Sequence, residues 1–190
     1  IRLTEKSPYR LKDYGYVPRV GALVAYRSER VTHSSEESCK EKQVVPLIWA
    51  TDITPQGEFV HGRQHRQRAP ELFIEIESRS ATGVFSQPAV LLRRLTSTDQ
   101  SRRLIAAALL DKFLHKHSAY VCENHVIALL KEQESEWQPH ELAALLQTSS
   151  VDRLYRAISG SSNVGTYELG QLPLPCPNKL RAELSKGLDM

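Results

Sequence analysis

Four short apolar runs constrain this chain more than any other feature: "VVPLIWATDI" (44–53), "LFIEIES" (72–78), "PAVLLRRL" (88–95) and "YVCENHVIALL" (120–130). The first is β-branched, the second and fourth alternate apolar with polar residues, and the third is almost continuously apolar. These are the patterns of buried or half-buried strands. After residue 138 the pattern changes: Leu142, Leu145 and Leu146, then Leu154, Tyr155 and Ile158, recur at helical spacing, as one long helix or two broken near Thr148 to Ser150. About six strands followed by late helices predict an α+β domain spanning 1–190, with a curved, mostly antiparallel sheet in the first two-thirds and helices in the last third.

Shorter signals fill in the path. "YRLKDYGY" (9–16) reads as a helical turn stopped by Gly15, "VGALVAYR" (20–27) as a strand opened by Gly21, and 178–186 as a final helix. Residues 28–43 and 61–70 lack any apolar period and read as surface loops. "LLRRLTSTDQSRRLIAAALL" (91–110) begins as a strand and breaks over Ser, Thr and Asp. It resumes in an alanine- and leucine-rich run that, with Ser97 and Gln100 as a capping box, predicts a helix to about His117.

Arginine pairs flank that break, Arg93–Arg94 before it and Arg102–Arg103 after it. Residues 61–103 hold eight arginines against four acids, while the rest of this +3 chain is net negative by one charge. Arginine forks onto phosphates and guanine edges as lysine does not, so the location of the excess points to nucleic acid. Solvated helix ends, or ion pairs with Asp99, are the competing explanation for the same arginines. Within the excess, "HGRQHRQR" (61–68) sets Arg63, Arg66 and Arg68 beside Gln64 and Gln67, the side chains suited to guanine and adenine edges.

Other chemistry is excluded or weak. There is no G-x-G-x-x-G, no phosphate-binding G-x-x-x-x-G-K-[ST], no G-x-S-x-G and no H-E-x-x-H. His115, His117, Cys122 and His125 fall within eleven residues but lack the tight pairs of a zinc site, and no metal is expected. "ENH" (123–125) contains letters of some nuclease motifs, which a strand with one wet edge also supplies. Three widely spaced cysteines, Cys39, Cys122 and Cys176, suggest reduced thiols and a cytoplasmic protein. The longest clean apolar run, Leu104 to Leu110, is too short to span a bilayer.

The order of segments, strongest over 90–107, 121–127 and 154–175, resembles the C-terminal target-recognition half of TaqI-like adenine-specific DNA methyltransferases of bacterial restriction-modification systems, related also to type I specificity subunits. The resemblance implies a domain that holds double-stranded DNA and reads base edges, so that the target adenine is flipped into a separate N-terminal catalytic domain. That partner would bind S-adenosyl-L-methionine. This chain has no Asn/Asp-Pro-Pro-aromatic motif, so no cofactor and no methyl transfer are expected of it alone. Where the family often has Gln-Arg-Thr-Thr, this chain has Arg93-Arg94-Leu95-Thr96, so Arg94 and Thr96 carry over and Arg93 and Leu95 do not. The expected DNA face is therefore the loop Arg63, Gln64, Arg66, Gln67 and Arg68, with Arg94, Thr96, Arg102 and Arg103 as the shelf behind it and Ser161 to Asn163 as weaker candidates. Two other readings stand beside it: a protein-docking module using the basic loop and late helices, and a nuclease built on His125.

Overall fold

The computed structural model describes residues 7–24, 31–36, 42–63, 71–96, 100–132, 135–161 and 163–188. Among these the fold is mixed α+β, with two mostly antiparallel sheets in the first two-thirds and the helices mostly in the last third. The strands are β1 (Tyr16–Val20), β2 (Thr32–His33), β3 (Val44–Ile48), β4 (Phe73–Glu75), β5 (Val84–Phe85), β6 (Ala89–Arg93), β7 (Ala106–Leu109), β8 (Tyr120–Cys122) and β9 (Val126–Lys131). The helices are α1 (Asp111–His117), α2 (Pro139–Leu146), α3 (Ser149–Ile158), α4 (Thr166–Gln171) and α5 (Pro177–Leu188).

One sheet has the order β1-β9-β6-β7 and is antiparallel throughout; the other has the order β2-β4-β3-β8-β5, in which only β3 and β8 run parallel. Successive side chains of a strand point to opposite faces, and the first sheet buries both. Val90, Leu92, Ala106, Ile127 and Leu129 pack with Leu142, Leu146, Val151 and Tyr155 of α2 and α3. Their neighbours Ala89, Leu91, Ala107, Leu109 and Ala128 pack with Ile48, Tyr120 and Cys122 of the second sheet. The layers are thus helices, first sheet, second sheet. The far face of the second sheet carries its own buried cluster, Val45, Leu47, Ile74 and Val121.

Four expectations need correction. The run 104–110, read as helix, contains the edge strand β7 (Ala106–Leu109), leading into a helix that starts only at Asp111. A strand buried on both faces is continuously apolar, and its period then says nothing about its type. Of the expected capping box, Ser97 lies outside the described residues and Gln100 begins a non-helical segment. Of the strand expected at 20–27, only Val20 is in a strand, β1 (Tyr16–Val20); 21–24 belong to none of the strands, and 25–27 lie outside the described residues. Gly21 follows β1, where an added Cβ would lie 2.1 Å from Glu123 O and 2.4 Å from Cys122 O, so only glycine passes. The run 120–130 is two strands, β8 and β9, and the turn Glu123–Asn124–His125 carries the chain from one sheet to the other.

The helical third divides as one of the two expectations had it. Thr148 caps α3 by accepting a hydrogen bond from Val151 N at 3.4 Å, separating it from α2, which opens with Pro139 at its first turn. Gly15, at φ 76°, ends the 3-10 turn Leu11–Tyr14. No described helix is long and apolar enough to cross a membrane.

Candidate nucleic-acid interface

The registers bring several chain reversals to one end of the two sheets. Arg93, last in β6, pairs with Val126, first in β9, and Leu92 pairs with Ala106, first in β7. Ile48 and Cys122, the last residues of β3 and β8, are partners in the second sheet. The segments after β3, β6 and β8 and before β7 therefore meet at this end. Arg93, Arg94, Arg102 and Arg103 sit on them. Arg63 joins through Asp52, just beyond β3. Arg79 lies on the connection that returns from Glu75, at the opposite end, to Val84, at this one, and no register fixes it to the cluster.

Asp52 organises the Arg63 side. It is 1 % exposed, and its carboxylate accepts the backbone N–H groups of Trp49 at 2.9 Å, Gly62 at 3.0 Å and Arg63 at 3.1 Å. Burial lifts its pKa to about 6, against the opposing pull of these three donors. Arg93 Nε donates to the next carbonyl, Ile53 O, at 2.7 Å, and a second guanidinium nitrogen of Arg93 reaches the same oxygen. Burial, and then the charge of Arg63, depress the Arg93 guanidinium from its ordinary value, so these two arginines share one neighbourhood. Arg93, which the resemblance does not carry over, is thus part of the cluster.

Arg94 sits on the crossing turn. Its N–H donates to His125 O at 2.7 Å, its guanidinium to Asn124 O at 3.1 Å, and its carbonyl accepts Val164 N–H at 2.7 Å. Beside it Leu95, 50 % exposed, bridges to Asn163. Arg102 reaches Gln147 Oε1 at 3.4 Å, and the same Gln147 side chain lies against Gly57. Among the described residues, none of Arg63, Arg93, Arg94, Arg102 and Arg103 has a carboxylate oxygen within ion-pair distance.

Arg103 and Thr96 differ from their neighbours. Arg103 is only 3 % exposed; its Nε donates to Thr96 Oγ1 at 3.1 Å and another guanidinium nitrogen to Ser161 O at 2.6 Å. Thr96 is 4 % exposed. The pair ties the β6–β7 connection to the loop after α3, rather than standing at the surface as a shelf. The physical reason is that residues 100–105 are irregular rather than helical, so Arg102 and Arg103 do not share one exposed helical turn. Asp152, which sequence reasoning passed over, fixes this segment by accepting Arg103 N–H at 2.6 Å and Leu104 N–H at 2.8 Å.

Gln64, Arg66, Gln67 and Arg68 lie outside the described residues, but both flanks of their segment are held. His61 Nε2 lies 3.1 Å from Leu72 O, and the His61 ring meets Phe73 and Phe113 edge-on at 5.7 and 5.6 Å. His117 packs on Phe113 at 4.8 Å. Its side chain is 5 % exposed and, among the described residues, its Nδ1 has no hydrogen-bond partner, with Glu36 3.7 Å away. Burial depresses both imidazoles below their ordinary value.

The four residues weighed as zinc ligands separate. His117 belongs to the aromatic cluster, and His115 shares its helix. Cys122 is fully buried in β8, its thiol pushed far up by burial, and His125 pairs with Glu123. Among the described residues no group of three or more His, Cys, Asp or Glu is placed to hold a metal ion. Glu123, 3 % exposed, has its pKa raised by burial, against the pull of His125 and Arg94. No protein-family model matches the chain, and no curated protein matches it.

Proposed function

We propose that this chain is a duplex-DNA-binding, sequence-reading module, the target-recognition half of an adenine-specific methyltransferase that works with a separate S-adenosyl-L-methionine-binding domain. One observation supports it above the rest: Arg63, Arg93, Arg94 and Arg102 gather at one end of the sheets, the last three held by backbone carbonyls or Gln147, and among the described residues none has a carboxylate oxygen within ion-pair distance, although the buried Asp52 and Glu123 feel the charges of Arg63 and Arg94. Cations so arranged repel one another and favour an anion from outside. Guanidinium groups anchored to backbone are also pre-oriented for phosphate. The basic segment 64–70 leaves directly from Arg63, with the glutamines and arginines that read adenine and guanine edges. A base inside a duplex is out of reach of a methyltransferase, so a domain that grips the flanking phosphates supplies what flipping requires.

The test is duplex affinity as a function of salt. Each phosphate neutralised contributes about −0.9 to the slope of log K against log salt, so Arg94→Ala and Arg102→Ala should each flatten it by about one. No affinity for duplex, or affinity independent of salt, refutes the reading. A protein-docking module is the second reading, and Tyr167, 76 % exposed on α4, and Ile158, 39 % exposed on α3, favour it. Those two side chains should leave DNA affinity untouched when replaced, whereas a docking module would lose its partner.

A further inference from the structure

We infer that His125 is a proton-controlled phosphate contact at this end of the sheets, a role that rests on the DNA-binding reading. The turn Glu123–Asn124–His125 crosses between the sheets, and its backbone carries Arg94 at two carbonyls, Asn124 O and His125 O. The imidazole and the guanidinium of Arg94 therefore share one support.

The imidazole is oriented from beneath. Glu123 is 3 % exposed; one carboxylate oxygen accepts the His125 backbone N–H at 3.0 Å and the other contacts His125 Nδ1. With Nδ1 committed to the buried carboxylate, Nε2 is left over, and among the described residues it has no partner. The side chain is 39 % exposed. A carboxylate that fixes one ring nitrogen sets the direction and tautomer of the other. When the ring is neutral, Nε2 is an acceptor and repels a phosphate oxygen; when the ring takes a second proton, Nε2–H becomes a charged donor. The charged groups around it are opposite in sign: Glu123 on its own turn and Arg94 from the end of β6, with the Asp52 charge felt at the neighbouring Cys122. Arg94 supplies a permanent charge at this spot, and His125 adds a second when its ring is doubly protonated.

The experiment measures duplex-oligonucleotide affinity at fixed salt, and its salt slope, at about pH 8 and about pH 5.5, on either side of the imidazole range. For the unsubstituted protein one added phosphate contact predicts a rise of about eightfold in acid at 0.1 M salt and a slope steeper by about 0.9. His125→Gln should keep the affinity seen at the higher pH and lose this part of the acid rise. In the unsubstituted protein, the His125 ring nitrogen resonances should shift on adding duplex in acid, a readout independent of how the variant folds. An acid rise unchanged in His125→Gln, with ring resonances unmoved by duplex, overturns the inference and leaves the DNA reading standing. Absence of duplex affinity at both pH values overturns the DNA reading, and the inference with it.

Discussion

Replacing Asp152 tests whether one buried carboxylate sets the path of the arginine-bearing segment. Asp152 lies on α3, 5 % exposed, and Oδ1 accepts the N–H groups of Arg103 and Leu104 at 2.6 and 2.8 Å, while Oδ2 accepts Arg156 Nε at 2.8 Å. Asp152→Ala strands two buried backbone donors, each costing about 1–3 kcal/mol when left unpaired. The Arg156 pair adds little, because that side chain is 32 % exposed and water replaces its partner. Some relaxation of the segment offsets part of the loss, so the expected destabilisation is about 3–4 kcal/mol. Asp152→Asn keeps one oxygen for both donors but turns an amide N–H toward Arg156, and should cost about 1–2 kcal/mol. Arg156→Ala should cost about 1 kcal/mol or less. Urea unfolding at neutral pH reads the order directly: with a slope of about 2–3 kcal/mol per molar, Asp152→Ala should lower the midpoint by about 1–2 M. An Asp152→Ala midpoint within experimental error of the unsubstituted protein, or equal to that of Arg156→Ala, refutes the argument that the two backbone donors depend on this carboxylate.

Arg103→Gln should lose about 2–3 kcal/mol of stability in the same urea assay, because Thr96 and Ser161 lose their charged donor; a surface phosphate contact would instead flatten the salt slope and leave stability unchanged. Gly21→Ala should destabilise by about 3 kcal/mol or more, since the new Cβ meets the backbone oxygens of Cys122 and Glu123 and neither can swing away; near-normal thermal unfolding of this variant would contradict the close approach. Acid should act through two opposed groups. The half-buried His61 and the buried His117 ring have depressed pKa values, so the unfolded chain takes up their protons first, and the stability they contribute above about pH 6.5 is lost as pH falls. Asp52, raised to about 6, favours the folded state when protonated, so its contribution is complete below about pH 4 and is lost as pH rises through about 6. His117→Phe should therefore remove part of the acid destabilisation in a urea midpoint-against-pH series, and an unchanged series would show that the His117 ring does not titrate differently on folding.

The strand runs at 44–53, 72–78 and 88–95 were legible because alternation and β-branched apolar residues report a local property, the side-chain period of a pleated chain, whereas 120–130 showed its strand character but not the break that makes it two strands. The late helices were legible for the matching reason, a period near 3.6 with Pro139 and Thr148 as start signals. The mixed class followed from these patterns alone. What they did not contain was partnership. "LIAAALL" reads as helix because alanine and leucine favour helices in isolation, yet here both of its faces are covered, by α2 and α3 on one side and the second sheet on the other, and burial overrides propensity. In the irregular segment that leads into β7, fixed by Asp152, Arg103 turns inward onto Thr96 and Ser161 while Arg102 stays with Gln147. Likewise the sequence located the basic excess between 61 and 103, since charge is read by counting, but only strand register put Arg63, Arg93, Arg94 and Arg102 at one end. The Glu123–His125 pair was visible as letters in "ENH" and became a site candidate only when the chain was seen to cross between sheets there. Composition and periodicity are properties of neighbours along the chain; the direction in which a charge points is set by which distant strand lies beside it, and that is decided by packing.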